Sequence, residues 1–478
     1  MTDVSLISRL SCRGDWERFY EYRALQAEQE QFLKELRRFI DEEAYLPVCQ
    51  KILSGEEFPL PGRAVISKMG SQKKRVVYIY SPEENMVLKM LTWMMLRRYD
   101  HLFSGNLYSF RPGRTVKDAI RRLQGIPGIR EMYSYKADIT NYFNSIPVEK
   151  LLPMLEKLMA PAQDSKTDES GREGDPQLLA FLKQLLEEPR ALDRRSGEII
   201  IEQKGIMAGS PVSAFLANLY LKDLDSCMEK EGIPYARYSD DIILFAKSRE
   251  EAERCAARFR EMLSELGLGI NPDKEMFGTP EEGWTFLGFQ YRQGTIDIAP
   301  ASAVKIKQKM RRKTRALRRW QQRGGHDPAR AAGAFIRIFN RKLLGRKSEG
   351  QAAAIPGKQE YPEIQDGADI PEELQDPGGT HELTWSRWFF PVINTAERLH
   401  EIDLYAEDCL RFLLSGKRTK ARFNVRYKDL RELGFQSLVH AYYAYENAEK
   451  GERQDFCKER GSCGPGDIPG ESARIDKT

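Results

Sequence analysis

Three carboxylates carry the chemistry that this sequence offers. Asp138 closes the alternating run "YSYKAD", and Asp240 and Asp241 stand side by side in "IPYARYSDDIILFAKS". Asp is depleted from strands, and a buried carboxylate is costly unless it is paired, protonated or bound to a metal. If the two runs are neighbouring strands of one sheet, the three acids meet at one point. Hard divalent cations bind through a few carboxylates and leave room for water and phosphate oxygens. Two such ions about 4 Å apart would stabilise the attacking and the leaving oxygen of a phosphoryl or nucleotidyl transfer. Taken alone, the Asp pair also reads as an ordinary hairpin turn, a place that Asp favours.

The elements around these acids are legible from periodicity and caps. Phe32, Leu33, Leu36 and Ile40 fall at helical spacing within an N-terminal helical stretch. "KKRVVYIY" is β-rich, and Ser81-Pro82 followed by Glu83 and Glu84 starts a helix. "KGIMAGSPVSAFLANLYLKDLD" is a glycine-bearing turn and a helix, with Ser210 expected as its N-cap and Pro211 as its first residue. An amphipathic helix from about Glu250 to Leu266, a turn "LGINPDKEMF" and a strand "WTFLGFQYR" follow.

Composition bounds the rest. The 478 residues are 41% hydrophobic and 31% charged, which describes a wet, charged surface around several domains. No apolar run is long enough to span a membrane, and the start "MTDVSLISRLSCRGDWERFY" lacks the apolar core of a signal peptide, so a cytoplasmic protein without membrane contact is expected. Seven scattered cysteines without a CxxC argue against a disulfide framework or a zinc site, and five isolated histidines against a His-based metal site. The net charge of +4 hides a strong asymmetry, because Lys305–Arg323 holds ten basic residues and no acidic one. A segment of that kind meets phosphate backbones or forms a solvated helix face.

Read in order, "KKRVVYIY", "SFRPGRTVKDAIRRL", "KADITNYFNSI", "GIMAGSPVSAFLANLYL", "YSDD", "LGLGINPDKEMF" and "WTFLGFQ" resemble a bacterial reverse transcriptase, close to group II intron and retron enzymes, over about Lys73 to Tyr291. The resemblance implies an α+β, right-hand polymerase fold. Its parts would be an N-terminal helical region (1–60), fingers (61–130), a palm of antiparallel sheet with packed helices (131–298, with a flexible insertion at about 161–176) and a basic helical thumb (299–346). An acidic Pro/Gly-rich linker (347–382), a helical C-terminal extension (383–450) and a disordered tail (451–478) would follow.

It also implies roles. Asp138, Asp240 and Asp241 would be the catalytic acids and, with the carbonyl of Ile139, would bind two Mg²⁺ ions, with Mn²⁺ as a substitute. Phe143 would be the steric gate against a ribose 2′-hydroxyl. Arg75, with Lys73 as a weaker candidate, would hold the incoming triphosphate, Gly209 and Ser210 would let the backbone approach the nascent base pair, and Lys274 would protonate pyrophosphate. Leu287 and Gly288 would belong to the primer grip. Arg111, Arg114, Lys309, Arg311, Arg312, Arg315, Arg318 and Arg319 would contact nucleic acid, with Ile306, Met310, Leu317 and Trp320 on the packed face of the thumb helix. Met207-Ala208 replaces the Pro-Gln of many relatives, and Ser239 a commoner Ala or Met.

The implied partners are an RNA template of structured non-coding type, a DNA or RNA primer, dNTPs and a possible second copy of the chain. A compact polymerase with a helical extension resembles the defence-associated enzymes that counter phage. An intron maturase and a non-catalytic RNA-binding protein are the alternatives. Tyr442, Tyr443 and Tyr445 either pack a helix or supply a priming hydroxyl.

Overall fold

The computed structural model describes residues 5–25, 30–67, 74–159, 174–187, 189–202, 205–345, 385–417 and 421–460. Lys73, the linker at 347–382, most of the insertion at 161–176 and the tail beyond 460 lie outside the described residues. The chain divides into two units, Met1–Pro280 and Glu281–Thr478.

The first unit carries eight strands among its described residues: β1 (Gly62–Ser67), β2 (Lys74–Ile79), β3 (Tyr133–Asp138), β4 (Arg190–Asp193), β5 (Ile199–Ile201), β6 (Tyr235–Tyr238), β7 (Asp241–Ala246) and β8 (Met276–Gly278). They form two sheets, in the orders β2-β1-β4-β5 and β6-β7-β3-β8. In the second sheet every pairing is antiparallel, and β3 meets β7 with Asp138 opposite Asp241. β4 and β5, expected in the palm stretch, instead complete the sheet of β1 and β2, with β1 and β4 parallel.

One face of the β6-β7-β3-β8 sheet is apolar and covered by helix. Tyr135 and Ala137 are fully buried, and Tyr135 meets Phe277 and Phe259, the latter on the helix Arg249–Glu265. On the other face the period of two places Lys136 and Asp138 together. Helix Ser213–Tyr220 is buried on nearly all sides, as its continuous "AFLANLY" requires. It begins at Ser213, with Val212 as its N-cap, so Ser210 does not cap it. Ser213 donates instead to the carbonyl of Met207 at 2.9 Å, inside a turn where Met207 and Gly209 have positive φ.

Among the described residues the N-terminal stretch is four helices, Leu6–Arg9, Arg13–Leu25, Glu30–Asp41 and Leu46–Ser54, around Trp16, Phe19, Phe39 and Tyr45. Their core joins that of helix Pro82–Arg98, which starts where the sequence places it: Ser81 and Glu84 form a reciprocal capping box.

The second unit opens with β9 (Trp284–Phe286), β10 (Phe289–Arg292) and β11 (Thr295–Ile298), an antiparallel three-stranded sheet. Helices Pro300–Gly324, Pro328–Phe339, Glu397–Ser415 and Leu438–Arg460 pack after it. The last of these runs ten residues into the stretch read from sequence as a disordered tail. Asp403, buried on Glu397–Ser415, accepts from Leu438 N–H at 2.9 Å and Val439 N–H at 3.1 Å and so satisfies its N-terminus. Among the described residues no helix is long and apolar enough to cross a membrane.

Candidate active site

The three acids meet where β3 ends and β7 begins. β6 and β7 are joined by the two-residue turn Ser239-Asp240, with Tyr238 paired to Asp241. The N–H of Ile139 donates to the carbonyl of Asp240 at 3.1 Å, which ties the end of β3 to that turn. On the far side, Asn271 N–H donates to Asp138 O and Thr140 N–H to Gly269 O, both at 2.8 Å. That strand-like contact brings the short turn Pro272–Lys274 alongside, and Lys274 Nζ forms an ion pair with Asp138 Oδ2. Lys136 sits 3.5 Å from Asp241 Oδ1. Its position two residues before Asp138 was a readable signal that the sequence reading missed.

Burial pushes the Asp240 carboxyl above the usual carboxylate range. Asp138 adds to this by repulsion, Asp241 adds less, and Lys274 opposes it. The site therefore draws in positive charge. Among the described residues no group of three or more His, Cys, Asp or Glu side chains is gathered tightly enough to hold a metal ion. The expected ligand set of Asp138, Ile139, Asp240 and Asp241 is thus not preassembled, because lysine ammonium groups engage two of its carboxylates. The donors are nonetheless hard oxygens with unbalanced negative charge, and that chemistry fits a divalent cation.

Around the acids, Phe143 is half-buried between Tyr142 at 5.6 Å and Phe110 at 6.2 Å, both edge-on. Phe110 is 42% exposed and has φ +57°, a conformation unusual for a bulky side chain. Gly209 has φ +106°, and a Cβ there would lie 2.8 Å from the Tyr78 carbonyl, so the turn meets β2 only because this residue is glycine. Ala208 O accepts from Tyr78 N–H at 2.9 Å across the same contact. Ser210 Oγ is buried without a hydrogen-bond partner among the described residues. Arg75 is exposed on β2.

Two expected contacts are corrected, and one of the tyrosine alternatives is decided for Tyr442. Arg111 does not face nucleic acid: its side chain is 4% exposed. Its guanidinium binds Asp100 at 2.7 and 2.9 Å and the carbonyls of Ser104 and Leu107 at 2.6 and 3.2 Å. Arg318 turns to Gln321 at 2.6 Å and lies over the Phe412 ring. Tyr442 is buried and donates to Ile393 O at 3.0 Å, which makes it a packing residue; Tyr443 is exposed. Arg114, Lys309, Arg311, Arg312, Arg315 and Arg319 are exposed, as nucleic-acid contacts must be. Of the packed face, Met310 and Leu317 are buried, Ile306 is half-buried, and Trp320 lies against His326 with ring centres 4.3 Å apart.

Leu287 and Gly288 lie in the second unit, at the turn between β9 and β10, both with positive φ. Leu287 O accepts from Trp388 Nε1 at 3.1 Å, and Gly288 O from Ala299 N–H at 2.7 Å.

The family model for reverse transcriptase (RNA-dependent DNA polymerase) matches residues 66–291, a stretch that contains all three acids. Residues 66–291 are thus similar to a reverse transcriptase domain. A 91 kDa protein in the cob intron of Schizosaccharomyces pombe is 30% identical over 179 residues, 37% of this chain and 20% of that protein. Protein YkfC of Escherichia coli is 22% identical over 277 residues, 50% of this chain and 68% of that protein. The chain thus spans a fifth of the first relative and about two thirds of the second. Among solved structures, apo telomerase from Candida tropicalis is similar at a TM-score of 0.39 and 12% identity, covering 51% of this chain and 48% of that one. The match to the reverse transcriptase domain begins within β1 and ends within β10, so it takes in both sheets of the first unit.

Proposed function

We propose that this protein is an RNA-directed DNA polymerase that extends a primer along an RNA template. The observation that carries the reading is the meeting of Asp138, Asp240 and Asp241 at one sheet end inside the matched domain. In this reading the β2-β1-β4-β5 sheet serves as fingers, the β6-β7-β3-β8 sheet as palm and helix Pro300–Gly324 as thumb. Asp138, Asp240 and Asp241 would hold two Mg²⁺ ions, with Mn²⁺ as a substitute. Such ions neutralise charge at the attacking and leaving oxygens.

The chain's own groups supply the rest. Lys274 and Lys136 neutralise the acids at rest and give way when cations arrive. Arg75 offers an exposed guanidinium to the triphosphate of a dNTP. The Gly209 turn, with a Ser210 hydroxyl that has no partner among the described residues, presents backbone and one polar atom to the nascent pair. Lys274 is the acid nearest to Asp138 and is the proposed proton donor to pyrophosphate. Extension of a labelled primer on RNA, with dNTPs and Mg²⁺, tests the reading.

Phe143 presents its ring between Phe110 and Tyr142, and a fixed aromatic edge there would exclude a ribose 2′-hydroxyl. Phe143→Ala is therefore expected to raise ribonucleotide incorporation by at least about tenfold relative to deoxynucleotide. Competition between rNTP and dNTP in single-nucleotide addition checks it, and an unchanged ratio would remove the gate role.

The exposed arginines of the thumb helix lead to another expectation. Each phosphate neutralised releases counterions, so binding should weaken with salt. Glu at Arg311, Arg312 and Arg315 together is expected to lower template–primer affinity and to flatten the log–log salt slope by roughly two to three. A salt titration with unchanged slope would contradict this contact.

Two biological settings divide the support. The compact polymerase with its helical extension supports antiphage defence in the bacterial cytoplasm. The 30% match to a protein in a cob intron supports a role tied to an intron RNA. Sequencing the RNA and cDNA that co-purify with the protein separates them: a flanking intron RNA favours the second, and an unrelated structured RNA with its cDNA the first.

A further inference from the structure

Ser239 is the strained point of the site. It is buried, has φ +61°, and stands at the first position of a two-residue hairpin, where positive φ normally calls for glycine. A side chain is held in that conformation only where its surroundings over-determine it. Here they do so from both sides of the residue. Ser109, fully buried, accepts the Ser239 N–H on its Oγ at 2.8 Å. Arg237 reaches the Ser239 carbonyl with Nη1 at 3.4 Å.

Both groups are themselves fixed. Residues Asn106–Tyr108 run parallel to β6, with Arg237 N–H donating to Asn106 O at 2.9 Å and Tyr108 N–H to Arg237 O at 3.0 Å. The Ser109 carbonyl accepts from Asn218 Nδ2 at 3.0 Å. The Arg237 guanidinium is gripped by Asp225, with Nε 2.8 Å from Oδ1, and neither side chain has any exposure. A buried ion pair is weak evidence for net stability, because desolvation offsets attraction. This one also places a spare N–H at the next turn of the chain, beside the acids.

We propose that Ser109, Arg237 and Asp225 are positioning residues that clamp Ser239 in its left-handed conformation and thereby set the directions of Asp240 and Asp241. None of the three touches a reacting atom, and the proposal rests on the reading of those acids as the polymerase centre. Loss of the clamp should lower the chemical step and leave template binding alone, since misplacement of acting groups by a fraction of an ångström is costly in rate.

The test pairs removal of the clamp with relief of the strain. Ser109→Ala is expected to lower kcat for primer extension about tenfold or more. KM for dNTP and Kd for template–primer should stay within about twofold, and more divalent ion should be needed for half-maximal rate. Ser239→Gly adopts positive φ without help, so the double variant should regain most of the lost kcat, and Ser239→Gly alone should melt higher than wild type with kcat retained. An unchanged kcat in Ser109→Ala, or a double variant as slow as Ser109→Ala, would overturn the clamp. If Ser109→Ala does not fold, Ser239→Gly decides: a lower melting temperature or a lost kcat overturns the proposal. A wild type without DNA synthesis counts against the polymerase reading alone, because the melting comparison still judges the clamp.

Discussion

Asp240→Asn is expected to reduce primer extension by about a thousandfold, or about 4 kcal/mol of transition-state stabilisation, while template–primer binding persists. Asn keeps the shape of the side chain and removes the charge that would hold a cation, so the loss should fall on kcat. The same substitution should stabilise the fold. Asp240 binds its proton more tightly in the folded chain than in the unfolded one, because burial and the Asp138 charge disfavour its ionised form. Folding therefore keeps its full strength below the unfolded value and weakens as pH climbs through the folded value. With chelator present, Asp240→Asn should melt higher than wild type at about pH 8, and the difference should shrink as pH falls through the ordinary carboxylate range. Equal melting temperatures of the two proteins at about pH 8 would mean that the folded chain does not resist ionising Asp240.

Arg111→Ala should act on stability and spare affinity. Its guanidinium satisfies the Asp100 carboxylate and three backbone carbonyls, those of Asp100, Ser104 and Leu107. Its removal takes a charged donor from each, although the Asp100 and Ser104 carbonyls keep the N–H groups of Phe103 and Leu107. A loss of about 2–4 kcal/mol follows from charged hydrogen bonds in a buried setting, which should lower the melting temperature by roughly 5–10 °C. Template–primer affinity measured well below that transition should match wild type. Weaker binding with an unchanged melting temperature would return Arg111 to the nucleic-acid interface.

Arg111 also shows where sequence reading loses its grip. In "SFRPGRTVKDAIRRL" it looks like a phosphate contact, as Arg114 does. Only the fold bends Asp100 and the Ser104–Leu107 loop around one of the two and leaves the other exposed. Arg318 differs from Arg315 and Arg319 for the same reason: what lies opposite each face of a basic helix is a long-range fact. The acids were legible because strand alternation and a two-residue turn are local, and so was the Ser81–Glu84 capping box. Ser210 before Pro211 carried a real cap signal, but the positive φ of Met207 and Gly209 turns the backbone so that the helix starts later. Lys136 was within reach of the period-two argument that found Asp138. The clamp of Ser109, Asp225 and Arg237 was not, since its members come from three separate segments and are tied only by geometry.

The most direct measurement is single-turnover extension of a labelled DNA primer annealed to RNA, with dNTPs and Mg²⁺, run on wild type and Asp240→Asn side by side. DNA product that survives RNase, from the wild type and not from the variant, is the predicted result. No product from the wild type with either Mg²⁺ or Mn²⁺, or equal product from both proteins, would contradict the assignment of Asp138, Asp240 and Asp241 as a polymerase centre.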